Sequence, residues 1–106
     1  MIELNQNNFK QEVLNADKPV IIDFWAPWCM PLKMMGPVFQ RLSQELTDYK
    51  FVKVNTQENP ALSQQFGIRG IPTIVVFKDG KEINRFSGFR PKSLLKKTIK
   101  SILSPQ

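Results

Sequence analysis

Residues 18–26 read KPVIIDFWA, an almost unbroken run of β-branched and aromatic side chains. A strand that alternates apolar and polar residues keeps one wet face, whereas this one offers no polar face to water. Such a strand belongs at the centre of a sheet, with other elements packed on both sides. The acid inside it, Asp23, is expensive to bury unless it is paired or carries a proton. Residues 49–56, YKFVKVNT, read as a second buried strand, and its Lys53 is the natural partner of Asp23. The plainer reading of the two is a purely structural buried ion pair.

Helical signals separate these strands. NNFKQEVLNAD (residues 7–17) has amide caps followed by Phe9, Val13 and Leu14 at helical spacing. From Leu32 the apolar positions step by three and four through Met35, Phe39, Leu42 and Leu46, and Pro37 inside that helix is expected to kink it. NPALSQQFG (59–67) gives a short helix, with Asn59 as cap, Pro60 at its first position and Gly67 at its end. PTIVVFKDGKEINRFSG (72–88) reads as strand, Asp79-Gly80 turn and strand, an antiparallel hairpin. Pro91 then opens a last helix with Leu94, Leu95, Ile99, Ile102 and Leu103 on one face and its lysines largely off it. Residues 2–4 add a short edge strand. The order β, α, β, α, β, α, β, β, α predicts an α/β fold over residues 1–106: one domain with a central mixed sheet, its early βαβ units parallel and helices on both faces.

Composition narrows the function classes. At 106 residues the chain buries roughly 60–70% of its unfolded surface, enough for one domain core. No apolar run approaches the roughly 20 residues that span a bilayer, and MIELNQNNFK has no apolar leader core, so a cytoplasmic protein without membrane contact is expected. The chain has no histidine and one cysteine, which leaves no metal site to expect and no internal disulfide. Residues 1–80 hold eight basic and eight acidic side chains and residues 81–106 seven and one, so the whole net charge of +6 sits in the last quarter. A solvated outer helix face accounts for it better than nucleic acid, since no nucleic-acid motif accompanies it and the only aromatics nearby are Phe86 and Phe89.

The single cysteine, Cys29, falls between the strand ending in FWA and the helix of Leu32 to Leu46. Unpaired N–H groups and the helix dipole favour the thiolate there, and the thiolate is the nucleophile. A buried, inert cysteine is the competing reading. The strand-to-helix junction and the flanking Trp28 and Pro31 favour an exposed ledge.

These segments resemble the thioredoxin family. DFWAPWCMPLKMMGP (23–37) is similar to the thioredoxin active-site segment, Trp-Cys-x-Pro-Cys-Lys after an Asp-Phe-Trp-Ala strand. GIRGIPTIVVFKDGKE (67–82) resembles its cis-proline segment and hairpin. The resemblance implies a thioredoxin-like fold, Cys29 as attacking cysteine, Asp23 and Lys53 as the buried proton-exchanging pair, and Pro72 as the cis-proline facing the thiol. It also implies a substrate surface of Trp28, Met30, Pro31, Ile71 and Gly88, with Trp25 as the second tryptophan and no cofactor.

The departure is Leu32, which stands where the family has its resolving cysteine. Disulfide exchange starts with thiolate attack to a mixed disulfide and ends with attack by a second thiol. Leu32 removes the second step. It is in phase with Met35 and Phe39, so an inward-packed leucine is expected. What remains is a thiol–disulfide oxidoreductase for protein disulfides that stalls at the mixed disulfide or needs an external thiol such as glutathione. The alternatives are a non-catalytic binding module and a substrate-trapping variant. Expected partners are disulfide-containing proteins, a thioredoxin reductase or glutathione, and a second copy linked through Cys29.

Overall fold

Strand β2 (Val20–Trp25) lies inside a five-stranded sheet, flanked on both sides as its apolar run requires. The computed structural model describes residues 1–28 and 30–104, with the backbone alone over residues 30–34. The strands run in the order β1 (Ile2–Glu3), β3 (Lys50–Asn55), β2, β4 (Thr73–Lys78), β5 (Lys81–Ser87). Strand β3 is parallel to both β1 and β2, whereas β4 is antiparallel to β2 and β5. This is the mixed sheet expected from the element order.

Alternation along β2 divides the interior into two cores. Val20, Ile22 and Phe24 pack with Leu4, Val13 and Leu62 on one face. Ile21 packs on the other with Met35, Phe39 and Leu42 of α1 (Met30–Glu45) and Leu95 and Ile99 of α3 (Lys92–Leu103). Helices therefore cover both faces, with α2 (Pro60–Gln65) on the first. Each large side chain fully buried in this way contributes about 1.5–3 kcal/mol relative to exposure. An ion pair of Lys92 with Glu45, 2.9 Å, ties α3 to α1 at the surface.

Local chemistry sets the element ends, with four departures from the sequence reading. Residues Lys10–Leu14 form a single π turn in place of an α-helix, and Asn15 N–H donates to the Lys10 carbonyl at 2.9 Å, five residues back. The expected amide caps do not form either: Phe9 stands at the cap position and no side chain caps the turn, while ahead of it Asn5 Oδ1 accepts from the N–H groups of Asn7 and Asn8 at 2.8 and 3.0 Å. The wider winding carries Leu14 off the apolar stripe, and it is exposed while Val13 is buried. Asn59 stands at the cap of α2, but its side chain does not cap; Nδ2 instead donates to the Asn55 carbonyl at 3.0 Å. In α3, Leu95 and Ile99 face the sheet and Leu94, one position round the helix, is exposed. The hairpin is as read. Asp79 and Gly80 both adopt positive φ, 53° and 78°, the combination a two-residue turn with right-handed strand twist requires.

Candidate active site

Four strand ends meet at one edge of the sheet. Trp25 is in register with Asn55, Phe24 with Thr73, and Thr73 with Ser87. The segments that leave these ends are therefore neighbours: 26–28 after β2, Ile71-Pro72 before β4, and Gly88-Phe89 after β5. Helix α1 begins at Met30, the residue after Cys29, so its unpaired N-terminal N–H groups lie at this edge. Cys29 itself, and the side chains of Met30, Pro31 and Leu32, lie outside the described residues. So do the expectations of an accessible thiol, a flanking Pro31 ledge and an inward Leu32.

The described part of the edge is firmly built. The Ile71–Pro72 peptide is cis. Gly88 N–H donates to the Pro72 carbonyl at 3.0 Å, which fastens the turn to the end of β5. Gly88 needs its φ of +96°, a backbone conformation that side chains disfavour. Thr73 Oγ1 bonds the Gly70 carbonyl and lies 3.1 Å from Ser87 Oγ. On the opposite side, Thr56 donates to the Trp25 carbonyl through its N–H at 2.8 Å and its hydroxyl at 3.0 Å. Buried Asn55 accepts through Oδ1 from the N–H groups of Gln57 and Glu58, at 3.0 and 3.2 Å. Ile71 makes no backbone hydrogen bond to another described residue. Trp28, 68% exposed, stands over this edge as the most exposed large apolar side chain described.

Behind the edge lies a cavity of about 330 Å³ lined by Asp23, Trp25, Lys53, Gly36, Pro37 and Phe39, among others. Asp23 is 4% exposed, and its Oδ1, like the indole Nε1 of Trp25, has no hydrogen-bond partner among the described residues. Burial pushes the Asp23 carboxyl up to about 7, with Lys53 pulling the other way. Enclosure therefore favours its protonated form.

The expected Asp23–Lys53 ion pair is not a direct one. The two residues are in register on neighbouring strands, but Lys53 is also in register with Glu3 on its other side. Its Nζ lies 3.8 Å from the Glu3 carboxylate and 5.6 Å from the centre of the Trp25 ring, with the side chain 37% exposed. A long ammonium side chain reaches water and a solvated acid more cheaply than it follows Asp23 inside.

Comparison with known proteins agrees with this architecture. The thioredoxin family model matches residues 1–101. The chain belongs to the thioredoxin family. It is 50% identical to Thioredoxin 1 of Synechococcus elongatus over 92 residues, 86% of either chain. Identity to Thioredoxin 1 of Nostoc sp. is 45% over 102 residues, 95% of either chain. Identity to the chloroplastic M-type thioredoxin of Chlamydomonas reinhardtii is 42% over 102 residues, 95% of this chain and 73% of that one. The thioredoxin family is one of thiol–disulfide oxidoreductases, and the fold is its α/β fold with a mixed sheet. Among the described residues no helix is long and apolar enough to cross a membrane, and no cluster of three metal-ligating side chains occurs.

Of the residues singled out in the sequence, the structure brings Trp28, Ile71, Pro72 and Gly88 to one edge and sets Asp23 and Lys53 behind it. Sequence reading missed the cavity, because Gly36, Phe39 and Pro37 read only as helix positions. It also missed Phe89, 45% exposed beside Gly88, whose signal was an aromatic in a two-residue linker with no apolar stripe to join.

Proposed function

We propose that the protein carries out the first half of thioredoxin chemistry on protein disulfides and releases its client only with an external thiol. The observation that carries this reading is the conjunction of Cys29 at the strand-to-helix edge with Leu32 at the resolving position. The Cys29 thiolate attacks one sulfur of a client disulfide; a new S–S bond forms, the old one breaks, and the leaving sulfur departs with the electron pair and takes a proton. An external thiolate, glutathione for example, then attacks the Cys29 sulfur, frees the client as a thiolate and leaves a Cys29 mixed disulfide. A second thiolate regenerates Cys29 and yields the external disulfide.

The other roles follow from the same reading. Trp28, Met30, Pro31, Ile71 and Gly88 form the client surface, and the backbone of Ile71 pairs with the client as an added strand does. Pro72 faces the reacting sulfurs. Asp23, with Lys53 beside it, keeps a proton-exchanging carboxyl with no second thiol to serve. The domain spans 1–106, the setting is cytoplasmic, a thioredoxin reductase or glutathione is the electron source, and oxidised copies pair through Cys29.

Mixing the protein with insulin and resolving the products without reductant is the test. Adducts that disappear with reductant and in Cys29→Ser are expected, along with a gain of insulin turnover in Leu32→Cys. No adduct from an alkylatable Cys29 would leave the second reading, a non-catalytic binding module, which Leu32 alone favours.

A further inference from the structure

The cavity beside Asp23 has more room than a single carboxyl needs. Its floor is Asp23 and Phe39, 4% and 1% exposed, and its mouth is Met1, 41% exposed, with Gly36 and Gln40 of α1. A dry apolar cavity of about 150 Å³ takes in a benzene ring, so one of about 330 Å³ holds a ring and a substituent. Phe39, Pro37 and the Trp25 ring supply apolar walls. Two buried polar atoms of the lining residues have no partner among the described residues: Asp23 Oδ1, and Trp25 Nε1, which can only donate. A buried polar atom left unpaired is costly, so these two define what an occupant has to supply. Lys53 does not supply it, because its Nζ lies at the rim, 3.8 Å from the Glu3 carboxylate.

We propose that this cavity is a binding site for small uncharged molecules that join a flat apolar ring to a carboxamide. The amide carbonyl accepts from Trp25 Nε1, an amide N–H donates to the Asp23 carboxyl, and the ring lies against Phe39 and Pro37. One carboxyl oxygen remains an acceptor whether or not Asp23 holds a proton, so the pairing survives either state. A cation would satisfy Asp23 but offers Trp25 no acceptor, and Lys53 stands at the rim against it. A carboxylate offers Asp23 no donor. Gly36 keeps the mouth wide: a Cβ built there meets no described atom within 4 Å beyond its own helix backbone and chain neighbours. The site is independent of the thiol chemistry proposed above.

Benzamide is the probe. Added at pH 8 to the full chain labelled with nitrogen-15, it should shift the Trp25 indole N–H signal along a saturable curve, with a Kd of roughly 1–10 mM for a ligand of this size. Trp28→Phe tells the two indole signals apart. Acetophenone, benzamidine and benzoate keep the ring and lose, in turn, the donor, the acceptor and neutrality. Each should bind at least about fivefold more weakly. Gly36→Leu fills the cavity and should abolish the shift while the rest of the spectrum stays dispersed. If that variant does not fold, Gly36→Ala, one methyl in the same space, should raise the Kd at least about twofold. No saturable shift with benzamide, equal binding of any of the three analogues, or unchanged binding in the Gly36 variants overturns the proposal. No disulfide takes part in these measurements, so their failure and that of the insulin test are distinguishable.

Discussion

Asp23 is the residue at which burial and reactivity conflict. Its carboxyl is raised from 3.8 to about 7 because enclosure penalises the charged form more than Lys53 offsets it. Since the folded-state pKa lies above the unfolded one, the protonated acid favours the folded protein. That contribution is fully present below pH 4 and drains away as pH rises through 7. Its size is on the order of 4 kcal/mol. Asp23→Asn should therefore resemble the parent near pH 4 and exceed its stability at pH 9 by a large part of that amount. Urea unfolding at the two pH values measures the difference, and equal midpoints at pH 9 would show that Asp23 is not ionised at a cost. The need for a partner was legible in the sequence, because an acid inside VIIDFWA has few cheap solutions. That Lys53 turns to Glu3 was not legible, since it depends on which strands flank β3.

At the scale of elements, the most informative segments were those with the fewest alternatives. Asp79-Gly80 admits one tight turn, and both residues adopt the positive φ that it demands. Gly80 is doubly constrained: a Cβ there would stand 3.3 Å from the Leu14 carbonyl as well as at φ +78°. Gly80→Ala should cost about 1–3 kcal/mol, seen as a lower thermal midpoint, with the cost divided between strain and displacement of the π turn. The amphipathic stretches were less informative at their margins. Spacing put Leu14 and Leu94 with their stripes, yet both are exposed, because periodicity gives the direction of an apolar face and not its width. The π winding of Lys10–Leu14 left no trace in composition. At the site, the cis-proline turn and exposed Trp28 were readable as motif positions, whereas the cavity arises only when distant segments come together.

Across the whole molecule, the sheet divides two cores that share no buried side chain among the described residues. Leu62 belongs to one and Ile99 to the other, each at most 1% exposed. Truncation to alanine at either should cost about 2–5 kcal/mol. Their effects should add to within about 0.5 kcal/mol, because no partner is common to both. Urea titrations of the two single variants and the double variant provide the check; strong coupling would mean that the sheet transmits repacking from one face to the other.

Lys53, held between a surface acid and a buried one, links the margin of the sheet to its interior. Strand β1 contributes only two ladder positions, and Glu3 is one of them. The carboxylate that draws Lys53 outward therefore belongs to the most weakly anchored strand of the sheet. Glu3→Gln releases that pull, and the Asp23 pKa should fall, which carboxyl NMR titration would record. Strand β1 thus acts as a rheostat on the acidity of a group that belongs to a strand it does not pair with.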